Sequence, residues 1–234
     1  PWMNAAGTLG FSPPARWNWP EPAGAFVTNP VSLSARTPAQ NRALLPFPGG
    51  YLLHSGLPNP GLKAVVRRQA AAWQRSALPL WVHLLAEKPE EVHNMALQLE
   101  ELEGVAALEI GIPPQAQGAL ALELLRAALG ELPVIAAIPL QMADQPWLEK
   151  LPALGLRALT LSGPRGMLPD GAGGLVSGRL CGAGLLPLAL WAVRQLRALK
   201  MPVIAGAGVC SLANGQALLA AGASAVQLDG VLWK

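Results

Sequence analysis

The sequence predicts a (β/α)8 barrel that is incomplete, with no regular first helix and no final helix. Three observations predict it. Short apolar runs alternate with helix-length segments along all 234 residues, the pattern of βαβ units and a parallel sheet. The runs number eight, which suits closure into a barrel. The chain is 52% hydrophobic and only 13% charged, about half the charged share of an average soluble domain. That composition excludes disorder over most of the chain and fits one α/β domain over residues 1–234.

The eight strands are expected at Met3–Ala6, Ala25–Asn29, Leu80–Leu84, Ala107–Gly111, Val134–Ile138, Arg157–Ser162, Val203–Ala207 and Ala225–Asp229. Between Pro89 and Leu102, Val92, Met95, Ala96, Leu99 and Leu102 share one helical face. Pro89 suits a first turn and Gly104 a stop, and Glu90 and Glu91 sit where the helix dipole favours negative charge. Gln117–Leu132 and Leu185–Leu199 are also helical in pattern but nearly apolar all round, whereas a barrel helix normally keeps one wet face. Two places break the rhythm. Gly10 to Gly24 contains four prolines and cannot form a regular helix. At the other end the sequence stops at Lys234, straight after the eighth strand, so no eighth helix is expected to cover the sheet. Covering one such face is worth on the order of 10 kcal/mol, and a protein partner is expected to supply that cover. Pro1 stands where a start methionine would, which points to a processed or partial product.

Charge and cysteine usage narrow the function classes. There are 17 basic and 14 acidic residues, a net charge of +3, and the longest basic run is Arg67–Arg68, so nucleic acid is not an expected partner. Cys181 and Cys210 form no disulfide framework and read as reduced thiols in a cytoplasmic setting. His54, His83 and His93 lack the spacing of a zinc site. Met201 to Leu228 is uncharged but splits into strand, helix and strand, so no membrane span is expected.

Several segments then resemble the dihydroorotate dehydrogenase family of FMN-binding barrels, nearly end to end. They are Asn4-Ala-Ala-Gly-Thr-Leu-Gly10, Phe26-Val-Thr-Asn-Pro-Val-Ser-Leu33, Gly49-Gly-Tyr-Leu-Leu-His-Ser-Gly-Leu-Pro-Asn-Pro-Gly61, Ser177-Gly-Arg-Leu-Cys-Gly182, Pro202-Val-Ile-Ala-Gly-Ala-Gly-Val209 and Ala221-Gly-Ala-Ser-Ala-Val226. The resemblance implies chemistry at the C-terminal ends of the strands: dihydroorotate oxidised to orotate, hydride passed to FMN, and a serine or cysteine base taking the second proton. Most of those groups are missing here. The lysine after strand two falls on Asn29, the substrate asparagine on Leu53, the asparagine closing strand three on His83, and the strand-five lysine on Ala137. Glu109-Ile-Gly-Ile-Pro-Pro114 replaces the strand-four signature and supplies no base. Gly163-Pro164 replaces the Asn-Thr or Asn-Ser after strand six. No catalytic residue is therefore assigned. If FMN binds, its pocket would draw on Ala5, Ala6, Gly7, Asn29, His83, Gly178, Gly208 and Gly230.

The phosphate turns after strands seven and eight need small residues and no nearby negative charge. Arg179 and Asp229 replace glycines there. A carboxylate about 4 Å from a phosphate costs on the order of 4 kcal/mol per unit charge, roughly a thousandfold in affinity, unless the Arg179 guanidinium offsets it. Asp229 otherwise reads as a polar strand cap and Cys181 as an ordinary thiol. Glu109 is expected to face the helix layer rather than the pocket, and His54 to be exposed in a turn-rich loop. His83 is either catalytic or a satisfied interior histidine. Trp2, Trp17, Trp19 and Trp147 are local plugs or interface anchors, with Trp17 and Trp19 assigned to an interface. The reading that results is a barrel without cofactor or catalysis, a structural or accessory subunit of a larger assembly. The alternative is an FMN-dependent oxidoreductase with altered substrate. A third reading, a binding module for another small ligand at the mouth, has no specific support in the sequence.

Overall fold

The computed structural model of the chain describes residues 1–14, 23–85 and 87–233. Eight strands form one sheet: β1 (Trp2–Asn4), β2 (Phe26–Val27), β5 (Leu80–Leu85), β6 (Val105–Gly111), β7 (Val134–Pro139), β8 (Ala158–Ser162), β11 (Val203–Ala205) and β12 (Ala225–Leu228). They are the eight expected from the sequence, with ends shifted by one or two residues. Their order is β1-β12-β11-β8-β7-β6-β5-β2, every laddered pair parallel. The two end strands meet, which nearly closes the barrel. Trp2 bridges Ala23, and the Gly24 N–H donates to Trp2 O at 2.7 Å. The Asn4 side chain completes this seam: its Oδ1 accepts from Val27 N–H at 2.8 Å while its Nδ2 donates to Val27 O. One buried amide thus stands in for a pair of ladder hydrogen bonds.

Helices α1 (Leu62–Gln74), α2 (Pro89–Glu100), α3 (Gly118–Ala127), α4 (Leu186–Leu196) and α5 (Leu212–Ala221) pack around the sheet. The α2 helix starts at Pro89, carries Glu90 and Glu91 in its first turn and buries Val92, Met95, Ala96 and Leu99, as its pattern predicts. The α3 and α4 helices are shorter than expected. The last turn of α3 tightens as Leu129 N–H reaches back to Arg126 O, and α4 continues as a 3-10 turn over Arg197–Leu199. Between β7 and β8 three 3-10 turns, two of them opened by Pro146 and Pro152, replace a helix. Trp147 in this stretch is buried against Gly118, where no Cβ would fit. Trp2 is buried likewise under Gly215 of α5. Both are local plugs. Trp17, Trp19 and most of the Pro-rich segment after Gly10 lie outside the described residues. Among the described residues a 3-10 turn, Gly230–Trp233, follows β12, and no helix is long and apolar enough to cross a membrane.

A second sheet was not expected. Strands β3 (Ala43–Phe47) and β4 (Gly50–His54) form a hairpin in the β2–α1 connection, and β9 (Arg165–Pro169) and β10 (Leu175–Cys181) form another between β8 and α4. They join antiparallel in the order β3-β4-β10-β9. Two tight turns make them possible. Gly49 adopts a left-handed conformation between β3 and β4. Between β9 and β10, Asp170 Oδ1 accepts from the N–H groups of Ala172 and Gly174, both at 2.8 Å.

Side chains two apart on a strand share a face, and that rule divides the barrel interior by depth. Met3, Val27, Trp81, Ala107, Ile135, Ala158, Ile204 and Ala225, one from each strand, cluster with Ala6 into a small apolar core separate from the main one. Residues between them, such as Leu108, Ile110, Leu159 and Val226, pack outward into the helix layer. Two positions further along each strand the interior becomes the floor of a cavity. The seam at Asn4 is expected to hold this arrangement. Asn4→Ala strands the N–H and C=O of Val27 and should lower unfolding free energy by about 3 kcal/mol, read from urea denaturation.

Candidate functional site

The cavity opens at the C-terminal ends of the strands, under the second sheet, and has a volume of about 660 Å3, within the range of ligand pockets. Its floor is a ring of eight residues, again one per strand line: Ala5, Asn29, His83, Glu109, Ala137, Thr160, Gly206 and Gln227. Leu53, His54 and Arg179 of the second sheet line it from above, and Arg36 and Arg165 stand at its exposed rim. His54 is therefore not an exposed loop residue. It ends β4, half-buried, in register with Ala43.

Glu109 corrects a second expectation. It does not face the helices. Its neighbours two residues away, Ala107 and Gly111, share its inward face, while Leu108 and Ile110 take the helix side. The carboxylate is fully buried and accepts from three side chains: His83 Nδ1 at 2.7 Å to Oε2, Thr160 Oγ1 at 2.8 Å and Gln227 Nε2 at 2.9 Å to Oε1. Burial pushes the Glu109 pKa up, but the His83 hydrogen bond and charge and the Thr160 and Gln227 hydrogen bonds outweigh it and hold the carboxyl below the usual glutamate range. His83 N–H in turn donates to Thr28 Oγ1 at 3.1 Å. Sequence reasoning weighed His83 alone. The strand alternation through Ala107, Glu109 and Gly111 was the available signal that Glu109 lies beside it.

The residues proposed for a flavin pocket divide into three groups. Ala5, Ala6, Gly7, Asn29 and His83 line the cavity. Gly208 and Gly230 line a separate void of about 30 Å3 beside the ends of β11 and β12. Gly178 faces neither space; it lies in β10 against Leu52 and the Leu53 carbonyl. The positions matched to missing family groups, Leu53, Ala137 and Gly163, do lie on the cavity wall. Among the described residues no three His, Cys, Asp or Glu gather as a metal site.

No protein-family model matches the chain. Among curated proteins, it is 30% identical to the dihydroorotate dehydrogenase B (NAD(+)) catalytic subunit of Pelobacter propionicus over 249 residues, covering 97% of this chain and 82% of that protein. The chain belongs to the dihydroorotate dehydrogenase family. The corresponding subunit of Trichlorobacter lovleyi is 29% identical over the same shares of both chains. Among solved structures, FabK from Thermotoga maritima matches with a TM-score of 0.48 at 16% identity, over 74% of this chain and 51% of that one, too loosely to bear on the site.

For a dihydroorotate dehydrogenase relative, the turns after β11 and β12 are where an FMN phosphate is expected, and here they are filled. Asp229 is buried, with Oδ1 3.3 Å from Arg179 Nη2 and Oδ2 accepting from Cys181 Sγ at 3.3 Å. The Tyr51 hydroxyl lies so close to Gly230 that a Cβ there would meet it at 1.9 Å. Burial pushes Tyr51 above its ordinary pKa, with Cys181 and Asp229 adding to the effect. The remaining void holds about one water. A phosphate monoester placed there would meet that carboxylate at close range. Arg179 does not compensate, because its guanidinium is engaged by Asp229 and approaches Ala6 O at 3.5 Å.

Two outcomes are expected. Glu109→Ala leaves His83, Thr160 and Gln227 without their shared acceptor and should cost about 3 kcal/mol or more in urea denaturation. Because the folded-state pKa of Glu109 is lowered, its contribution is complete above the ordinary value near 4.5 and is lost as pH falls from there through the folded value. The stability gap between wild type and Glu109→Gln should therefore narrow with acid below about pH 4.5. Second, burial, despite Arg179, pushes the Cys181 thiol up to about 12. Iodoacetamide at neutral pH should label the half-buried Cys210 and leave Cys181 intact until the protein unfolds, as peptide mass mapping would show.

Proposed function

We propose that this chain is a dihydroorotate dehydrogenase-family barrel that has lost flavin-dependent dehydrogenation and serves as an accessory subunit of a larger assembly. The observation that carries the first half is the Asp229 carboxylate, buried with Tyr51 and Cys181 in the turns that would have to receive a phosphate. Three further features support it. No lysine, serine or cysteine of the cavity floor stands where the family's reaction needs a cation or a base; those places hold Asn29, Ala137 and the run Glu109-Ile-Gly-Ile-Pro-Pro114. The floor's carboxylate, Glu109, has both oxygens engaged by His83, Thr160 and Gln227 and is no free base. Leu53 replaces a substrate-binding amide with an alkyl group.

The second half rests on the surface. Leu188 and Trp191 on α4 and Leu212 at the start of α5 are each more than half exposed, and the two helices pack side by side. Large apolar side chains grouped on neighbouring helices, in a protein short of charge, mark a contact surface. The relatives are themselves named as subunits. Cys181 and Cys210 are not in disulfides, which fits a reducing, cytoplasmic setting.

The test is the absorption spectrum of the purified full-length chain together with what travels with it. Protein without flavin bands, releasing no FMN on denaturation and failing to take up added FMN, is the expected result. Stoichiometric yellow protein sinks the reading. Co-purification of a stable partner chain is expected for the assembly. Leu188→Ser with Trp191→Ser should release that partner while leaving the thermal unfolding of the isolated chain within about 0.5 kcal/mol of wild type. A monodisperse monomer at high concentration, with no partner, overturns the subunit role.

A further inference from the structure

Loss of hydride transfer does not leave the cavity without reactive groups. The Glu109 carboxylate has both oxygens occupied and accepts the hydrogen bond of His83 Nδ1–H, which in the neutral imidazole leaves the lone pair on Nε2. That second nitrogen makes no hydrogen bond among the described residues and is not sealed in protein. It faces Gly111, where a Cβ would lie 2.6 Å away, and both residues line the cavity. A purely structural histidine has both ring nitrogens satisfied. This one has a buried carboxylate behind it and a ligand-sized space in front, at the ends of barrel strands where catalytic groups are carried.

We propose that His83 is a general base in this cavity, with Glu109 as its positioning residue, and that the site moves a proton on a small 2-oxo carboxylate. The substrate class follows from the walls. Arg179 is paired with Asp229 and the Glu109 carboxylate is engaged by its three donors, which leaves Arg36 and Arg165 at the rim against one rim carboxylate, Glu87, so the mouth favours an anion. Asn29 spends its Oδ1 on Gly10 N–H at 3.0 Å and keeps its NH2 group for a carbonyl oxygen. An imidazole with an available Nε2 lone pair can do proton transfer, and a C–H becomes acidic enough when it adjoins a carbonyl. In the step, the C–H bond beside the carbonyl breaks, its electron pair moves into the enolate, and the proton forms the Nε2–H bond. Nε2–H exchanges with solvent, and the reverse step returns a solvent proton to carbon. Nothing is oxidised or reduced.

The inference goes beyond the loss of flavin chemistry, and its test uses neither flavin nor a partner. The full-length chain in deuterated buffer is incubated with pyruvate and, separately, with 2-oxoglutarate, and loss of the C3 proton signal is followed by NMR. Exchange at least tenfold above the buffer rate with one of them is expected. His83→Ala should reduce it to the buffer rate, and added imidazole should restore part of it, which a structural role would not allow. Glu109→Gln should lower kcat more than tenfold with little change in KM. Retained NMR dispersion in His83→Gln shows that loss is not unfolding. No exchange by wild type with either compound, or exchange that survives in His83→Gln, overturns the proposal. FMN found in the purified chain would sink the accessory-subunit reading without deciding this one.

Discussion

A charged carboxylate inside the barrel is the constraint on which the upper half of this structure depends. Moving an ion of that size out of water costs several kcal/mol even after relaxation, so Glu109 is tolerable only with both oxygens engaged. Its partners come from three other strand lines: His83 on β5, Thr160 on β8 and Gln227 on β12. The four residues therefore tie together strands that lie across the barrel from one another, and no one of them can change alone without leaving another unsatisfied. The network also decides what the cavity can do. By holding His83 at Nδ1 it turns the other ring nitrogen toward the opening, and by consuming both of its own oxygens it removes Glu109 as a free acid.

A second buried carboxylate, Asp229, sits at the other end of the barrel mouth. Asp229 extends the line of β12 two residues past Gln227, on the same inner face, and reaches the turns that a nucleotide phosphate would need. Arg179 of β10 pairs with it, so a residue from the covering sheet neutralises a charge placed by the barrel. The Arg179 pKa is raised: burial opposes its charge, but Asp229, then Cys181 and Tyr51, outweigh it. Tyr51 from β4 takes the space beside Gly230. The cluster is mutually dependent. Asp229 would be an intolerable buried charge without Arg179, and Arg179 would lose its ion pair without Asp229.

The parts of the fold legible in the sequence were those governed by local periodicity. All eight barrel strands and the helical patterns leading to α2, α3 and α4 could be read because each strand is a short apolar run and each helix hides one face. The second sheet was not read, for a physical reason. Its strands expose both edges and much of one face, so β9 alternates exposed and half-buried residues and carries Pro169, while β3 carries Pro46. Such strands look like loops. The signal that could have found them was turn chemistry: Asp170-Gly171-Ala172-Gly173-Gly174 between two alternating runs, and Pro48-Gly49-Gly50 between two others. At the site, the sequence matched Asn29, Leu53, His83 and Ala137 to positions that do lie on the cavity. It misplaced Glu109, because one residue's register on a strand decides between helix layer and cavity. It could not join Arg179 to Asp229, because fifty residues and two sheets separate them in the chain.

The layering explains how such a barrel can keep its fold while its chemistry changes. The apolar ring from Met3 to Ala225 and the outward-facing residues such as Leu108 and Val226 account for the packing, and none of them touches the cavity mouth. Two residues further along each strand, burial is partial and the demand is only that polar groups find partners. There, Asn, His, Glu, Thr and Gln can be exchanged for lysines and amides so long as the hydrogen bonds close. Strand closure does not limit substitution at that depth; electrostatic satisfaction does. The ring of positions at the cavity floor is filled by a network whose hydrogen bonds close within it except at one nitrogen, His83 Nε2, which faces the space where a ligand would lie.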